Sequence, residues 1–109
     1  MKDGKFNGKW KITKMEQWDQ KYVDLIESGY IEFGDRKSGS LHFGCIYADI
    51  EYSISNDAKV VFSFQGDDEG KIISGRGWVK LKNNNLYGHI FIHNGDNSKF
   101  NAKPIGSLA

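Results

Sequence analysis

The 109-residue chain has one cysteine, one proline and no marked excess of charge of either sign. A lone cysteine, Cys45, cannot form an internal disulfide, whereas small secreted domains usually contain several. The N-terminus lacks the apolar segment of a signal peptide, and no apolar run approaches the roughly 20 residues of a membrane span. We therefore expect a cytoplasmic protein with no membrane partner.

The numbers of basic and acidic residues indicate whether a nucleic-acid partner is expected. The chain has 15 Lys and Arg against 14 Asp and Glu, a formal net charge of +1. Nucleic-acid-binding domains usually show a basic excess, so composition predicts no nucleic-acid partner, although it is compatible with a local basic patch. The length fits one domain spanning residues 1–109.

Aromatic residues and glycine are plentiful, with 14% aromatics and 13 Gly. Apolar side chains alternate with polar ones in short segments, as in Trp10 and Ile12 or Val60, Phe62 and Phe64. Turn signals separate these segments, among them 56–57, 83–85 and 94–95. The pattern predicts an all-β domain, a single small antiparallel barrel of seven or eight strands, with an open sandwich or roll as the alternative.

The longest β-like stretch, residues 40–55, changes phase once. Leu41, Phe43 and Cys45 alternate on odd positions, whereas from Ile46 onward the apolar residues fall on even positions. An uncorrected slip would turn the core set to the wrong face. We expect either a β-bulge at Gly44-Cys45 or a break into two strands.

Residues 17–27 are the one region with helical spacing, and we expect a short helix or an ordered loop there. Asp19 is placed to cap the N-terminus of such a helix, and Gly29 to end it. The apolar stripe of this helix consists of Trp18, Tyr22, Leu25 and Ile26.

Two resemblances follow from short motifs. Gly8-Lys9-Trp10 resembles the Gly-x-Trp opening of lipocalins and related calycin barrels. That resemblance implies a Trp that plugs one end of the barrel and packs against a basic residue of a late strand. By its position in the order of the predicted strands, Lys103 is the residue expected there. The runs at 12–19, 74–78 and 90–98 resemble a family of short uncharacterised bacterial proteins, which implies a compact β fold and a bacterial source but no activity.

Candidate site residues come from rings with charged or imidazole neighbours. Asp19 lies beside Trp18, and Arg76 is close to Trp78 on a late strand. If the sheet brings them together, the charged pair either orients a ligand in a ring-lined pocket or closes one barrel end as an ion pair. The candidate ligand-binding residues are Trp18, Asp19, Arg76, Trp78, His89 and His93.

His89 and His93 do not form a metal motif on a strand. Four residues apart, they lie about 13 Å from each other and cannot bind one ion together. The sequence therefore predicts no metal site, no cofactor and no catalytic residue. It favours a binding module that holds a small, partly apolar ligand in the barrel interior or mouth. The alternative is a structural or interaction domain that forms a homodimer through a sheet face or edge, and an enzyme is less favoured.

Overall fold

A computed structural model describes residues 5–55 and 59–105. Eight antiparallel strands, each paired with the next in sequence, close into a barrel because β1 also pairs with β8. The strands are β1 (Gly8–Met15), β2 (Tyr30–Phe33), β3 (Ser38–Phe43), β4 (Ile46–Ile54), β5 (Lys59–Asp68), β6 (Lys71–Lys82), β7 (Asn85–Ile92) and β8 (Asn97–Pro104). The predicted all-β antiparallel barrel is confirmed, and every one of these strands is paired on both sides.

Turns lie where the sequence signals predict them. Asn83 and Asn84, both with positive φ, join β6 to β7, and residues 93–96 join β7 to β8. The turn predicted at 56–57 lies outside the described residues. Between residues 5 and 55 and between 59 and 105, no helix has the length and apolar character needed to cross a membrane.

The phase slip is resolved by a break into two strands. β3 ends at Phe43, β4 begins at Ile46, and Gly44 has a φ of 58° in the tight turn between them. Glycine adopts this conformation without the steric cost that a side chain would bring. The turn restores the alternation, so that the apolar residues of both strands face the interior.

The helical region is shorter than its apolar stripe suggests. The helix α1 spans Gln20–Val23, with Asp19 as N-cap as predicted. The expected stop at Gly29 is wrong because Asp24 already ends the helix, and its carboxylate accepts a hydrogen bond from the Gly29 N–H at 2.8 Å. Leu25 and Ile26 are 61% and 58% exposed, so the second half of the stripe does not pack on the barrel.

Aromatic rings fill the barrel interior. Phe33 and Phe62 lie with ring centroids 6.4 Å apart, and Phe62 and Phe64 are equally close. Gly77 and Gly75 face these rings from β6, and a Cβ atom at either position would lie 2.6 Å from the Cζ of Phe62 or Phe64. The rings therefore occupy space that side chains on β6 would otherwise take, and the lumen is filled by the protein itself.

Trp10 lies at the end of the barrel where β1 begins. Its indole N–H donates to the Phe6 carbonyl oxygen at 2.9 Å, and both side chains are buried. Lys103 does not pack against it, contrary to the expectation from the calycin resemblance. In β8 the inward positions are taken by Phe100 and Ala102, so the alternation turns Lys103 outward.

Candidate functional site at the barrel mouth

The mouth is the end of the barrel at which the odd-numbered strands end and the even-numbered strands begin. Four connections meet there: segment 16–29, which contains α1, and the turns at 44–45, 69–70 and 93–96. In a meander of antiparallel strands, alternate connections necessarily share one end. Residues far apart in sequence are therefore gathered at the mouth.

Trp18 covers part of the mouth. Its ring lies 4.9 Å from Phe43 and 6.5 Å from Tyr22, measured between centroids. The backbone before it is tied to β8, since the Gln17 N–H donates to the Ser98 hydroxyl at 3.1 Å. These contacts fix the indole as a half-buried surface between interior and solvent.

Tyr22 anchors α1 to the β3–β4 turn. Its ring packs over Gly44, where a Cβ atom would collide with it, and its hydroxyl accepts a hydrogen bond from the Cys45 N–H at 3.3 Å. Burial raises the pKa of Tyr22 and outweighs the opposing effect of the Cys45 hydrogen bond. Tyr22 therefore presents a neutral hydroxyl at neutral pH.

A cleft of about 540 Å³ opens between this aromatic pair and the turns of the β5–β6 and β7–β8 hairpins. Its volume lies in the range of small-molecule sites. Its apolar floor is formed by Trp18, Tyr22, Ile46, Ile73 and Ile92. Its charged or imidazole-bearing rim is formed by Asp68, Lys71, His93 and Asp96. The lining suits a ligand with an apolar body and a polar end.

Two further clefts, of about 560 and 700 Å³, lie on the outer surface of the barrel. Polar side chains form most of their linings, and the apolar residues are Leu86, Tyr87 and Ala102 in the first and Phe64 and Ile72 in the second. The mouth cleft differs because several half-buried apolar side chains converge on it from separate strands. We therefore take the mouth as the candidate site.

The six sequence candidates divide between two places. Trp18 and His93 line the mouth cleft, and Asp19 stands beside it as the N-cap of α1, where its carboxylate accepts the Tyr22 N–H at 3.0 Å. The His93 N–H donates to the Ser74 carbonyl oxygen at 2.8 Å, which ties the β7–β8 turn to β6.

The other three candidates, Arg76, Trp78 and His89, project from the outer face of β6 and β7. Gly75 and Gly77 take the inward positions of β6, so alternation places Arg76 and Trp78 outside. In the part of the chain that the structure describes, the expected ion pair between Asp19 and Arg76 does not form. The guanidinium lies instead 4.8 Å from the centroid of the Phe91 ring.

Neither an activated thiol nor a metal-binding cluster is found among the described residues at the mouth. Partial desolvation, together with the carboxylates of Glu69 and Asp68, raises the pKa of the Cys45 thiol. Reactive cysteines need the opposite environment, one that favours the thiolate. Across residues 5–55 and 59–105, no group of three His, Cys, Asp or Glu side chains is close enough to hold a metal ion.

Asp68, Lys71 and Asp96 of the charged rim were not among the sequence candidates. These three residues lie at the ends of hairpin strands, where they read as solvated turn residues. A sequential order of the predicted antiparallel strands would have given a usable signal, because in that order the β5–β6 and β7–β8 turns share an end with the segment after β1. Searches with family models, curated proteins and solved structures find no match to this chain.

Proposed function

We propose that the protein is a small-molecule binding module whose ligand occupies the mouth cleft. The apolar body of the ligand packs on Trp18 and Tyr22, and its polar end meets the rim formed by Asp68, Lys71, His93 and Asp96. The observation that carries the proposal is the convergence of half-buried apolar side chains and charged side chains on one cleft of suitable volume.

The filled interior supports the mouth over the lumen as the binding place. Barrels of about eight strands have interiors just wide enough for side chains or for one small ligand. Here Phe33, Phe62 and Phe64 occupy that space. Edge pairing with a second copy, one form of the alternative function, gains no support because each described strand already has two neighbours.

Binding can be tested with 1-anilinonaphthalene-8-sulfonate, a probe with an apolar ring system and one anionic group. We expect its fluorescence to rise on binding, with the sulfonate near Lys71. Replacing Trp18→Leu removes an aromatic surface and should weaken binding about fivefold, equivalent to roughly 1 kcal/mol. The matched control is Trp78→Leu, which removes an indole from the outer face of β6 and should leave probe affinity unchanged.

A second measurement remains informative if Trp18→Leu unfolds segment 16–29 at the mouth. In protein with ¹³C-labelled isoleucine methyl groups, the probe should shift the signals of Ile73 and Ile92 and leave those of Ile12 and Ile31, which are fully buried. Shifts confined to Ile12 and Ile31, or probe affinity lost only in Trp78→Leu, would contradict the proposal.

We also propose that the barrel is related to the calycins and is a cytoplasmic protein of bacterial origin. The simple meander of eight strands and the position of Trp10 beside Phe6 at the end opposite the mouth support the first part. The unpaired Cys45 fits a reducing compartment. A set of homologous sequences that links this chain step by step to a calycin would support the relationship, and homologues that lead only to another family of barrels would contradict it.

A further inference from the structure

Opposite charges are segregated on the outside of the barrel. Strands β2, β3 and β4 contain three acidic residues and no Lys or Arg: Glu32, Asp49 and Glu51. Strands β6, β7 and β8 contain no Asp or Glu, and five basic residues lie on their outer face: Arg76, Lys80, Lys82, Lys99 and Lys103, whereas Lys71 at the start of β6 lines the mouth cleft. We call the outer faces of these two groups of strands the acidic wall and the basic wall.

Aromatic and imidazole rings cluster on the basic wall. His89 is the register partner of Trp78, and its ring stacks on Phe91 with centroids 4.4 Å apart. Tyr87 meets Trp78 edge to face at 6.3 Å. Tyr87, His89 and Phe91 are successive outward residues of β7, so the cluster spans about 13 Å along that strand.

Cations lie against these rings. Arg76 lies over Phe91 at 4.8 Å, and the ammonium groups of Lys59 and Lys80 lie 5.3 and 5.8 Å from the Trp78 ring centroid. The two lysine distances are close to the outer limit of a cation–π contact, about 6 Å. Their long side chains can therefore turn to an incoming anion and leave the indole face accessible.

We infer that the basic wall binds single-stranded RNA. Sequence-tolerant recognition of single strands combines stacking on aromatic side chains with cations that track the phosphates. Trp78, Tyr87 and Phe91 supply the stacking surfaces, and Arg76 and Lys80 supply positive charge beside them. The inference concerns a different surface from the mouth cleft and does not depend on it.

Neutral polar groups on the same wall favour RNA over DNA. The Asn97 side-chain oxygen accepts a hydrogen bond from the His89 Nε2–H at 2.8 Å, and Asn101 is the register partner of Tyr87. Amide and phenol groups can bond the 2′-hydroxyl, which only RNA has. The inference departs from the expectation of no nucleic-acid partner, which allowed a local basic patch, because a net charge of +1 does not show where the charges lie.

The acidic wall of a second copy is the other surface with complementary charge. Such a contact would join two different faces of the chain, and contacts of that kind generate rings or open-ended assemblies. It would also leave the aromatic cluster without a stacking role. The RNA inference uses both the charges and the rings, and self-association is an outcome that the experiment distinguishes.

The test is fluorescence anisotropy of a labelled oligouridylate of 12 nucleotides, titrated with the protein between about 50 and 200 mM salt. We expect saturable binding that weakens with salt. If three phosphates are neutralised, the slope of log K against log salt is about −2. Trp78→Leu should weaken binding about tenfold, the effect of losing one stacked base.

Two matched pairs of variants test whether RNA binding depends on the basic wall itself or on any exposed charge or aromatic ring. Tyr87→Leu should weaken binding, whereas Tyr47→Leu should not. The two tyrosines are matched because their side chains are similarly exposed, 38% for Tyr87 and 41% for Tyr47. Lys80→Glu should abolish most of the affinity, whereas Lys21→Glu, the same charge change on α1, should have little effect.

Several results would overturn the inference. These are equal effects of the two variants in either pair, tighter binding of the DNA oligothymidylate than of the oligouridylate, or competition by heparin at the same concentration of anionic groups as RNA. Sedimentation that shows self-association of the wild-type protein, abolished by Lys80→Glu, together with no RNA binding would assign the basic wall to a second copy instead.

Discussion

The acidic and basic walls each hold a histidine among aromatic rings, and the two histidines have opposite environments. On the acidic wall His42 is fully buried, stacked on Tyr47 at 4.0 Å and close to Tyr30 at 5.6 Å. On the basic wall His89 is half-exposed beside Phe91. The same residue types therefore form a buried cluster on the acidic wall and an accessible surface on the basic wall.

Charged side chains contact both tyrosines of the closed cluster, which consists of His42, Tyr30 and Tyr47. The Tyr47 hydroxyl donates to the Glu27 carboxylate at 2.9 Å, and the Lys9 ammonium lies 4.1 Å from the Tyr30 ring centroid. The hydrogen bond with Glu27 is the largest cause of the raised pKa of Tyr47. On the basic wall the cations lie against the rings with no carboxylate in β6, β7 or β8 to draw them away.

In the described part of the chain, one ring nitrogen of His42 is hydrogen-bonded and the other is not. Its Nδ1 lies 2.9 Å from the Ile46 carbonyl oxygen, and because a carbonyl only accepts, Nδ1 carries the proton. Its Nε2 is buried, and among the described residues it has no hydrogen-bond partner. His42 is therefore a structural residue with one ring nitrogen that has no partner among the described residues.

The largest expected difference between the walls is in stability. His42→Ala removes a stacked ring and a buried hydrogen bond and should lower the free energy of unfolding by about 2 kcal/mol. His89→Ala alters a half-exposed position and should change it by less than about 0.5 kcal/mol. Urea denaturation of the two variants measures both values, and equal losses would show that the two clusters are not different in kind.

A smaller effect on stability is expected from the ion pair between Lys11 and Asp24. Lys11 of β1, next to the basic wall, lies 3.6 Å from the Asp24 carboxylate at the end of α1. Although desolvation opposes it, hydrogen bonds from Gly29 and Gln20 and the charge of Lys11 hold the pKa of Asp24 below its usual value. The pair is partly exposed, so its contribution is about 0.5 kcal/mol.

The sign of the pH dependence follows from the lowered pKa. The stabilisation is present above the pKa of the unfolded carboxyl, about 3.9, and is lost as pH falls through the lower folded value. The protection factor of the Gly29 amide against hydrogen exchange should be high at neutral pH and should fall selectively in strong acid. Asp24→Asn should remove this pH dependence, and its persistence in that variant would assign it to another carboxyl.

The fold could be predicted from the sequence to a large extent because period-two alternation determines which residues face a shared interior. An interruption at 44–45, either a bulge or a break, followed from the change of phase, and the Asn83 and Asn94 turns followed from residues that tolerate positive φ. The extent of α1 could not be predicted. The stripe that includes Leu25 and Ile26 is compatible with a longer helix, and only the Asp24–Gly29 hydrogen bond shows where the chain turns away.

The candidate site was predicted in part. Trp18 and His93 were named and lie at the mouth, whereas Arg76, Trp78 and His89 lie on the basic wall. Alternation in β6 already separated Gly75 and Gly77 from Arg76 and Trp78, but it does not say which set faces inward. The rings of Phe62 and Phe64 decide this, since they fit only over glycine.

The most direct test of the whole account uses the three tryptophans, which lie in three different places. In ¹⁵N correlation spectra, the indole signals report the interior at Trp10, the mouth at Trp18 and the basic wall at Trp78. We predict that 1-anilinonaphthalene-8-sulfonate shifts the Trp18 signal, that oligouridylate shifts the Trp78 signal, and that Trp10 responds to neither. A response of Trp10 to the sulfonate probe, with Trp18 unmoved, would place the ligand inside the barrel and contradict the account.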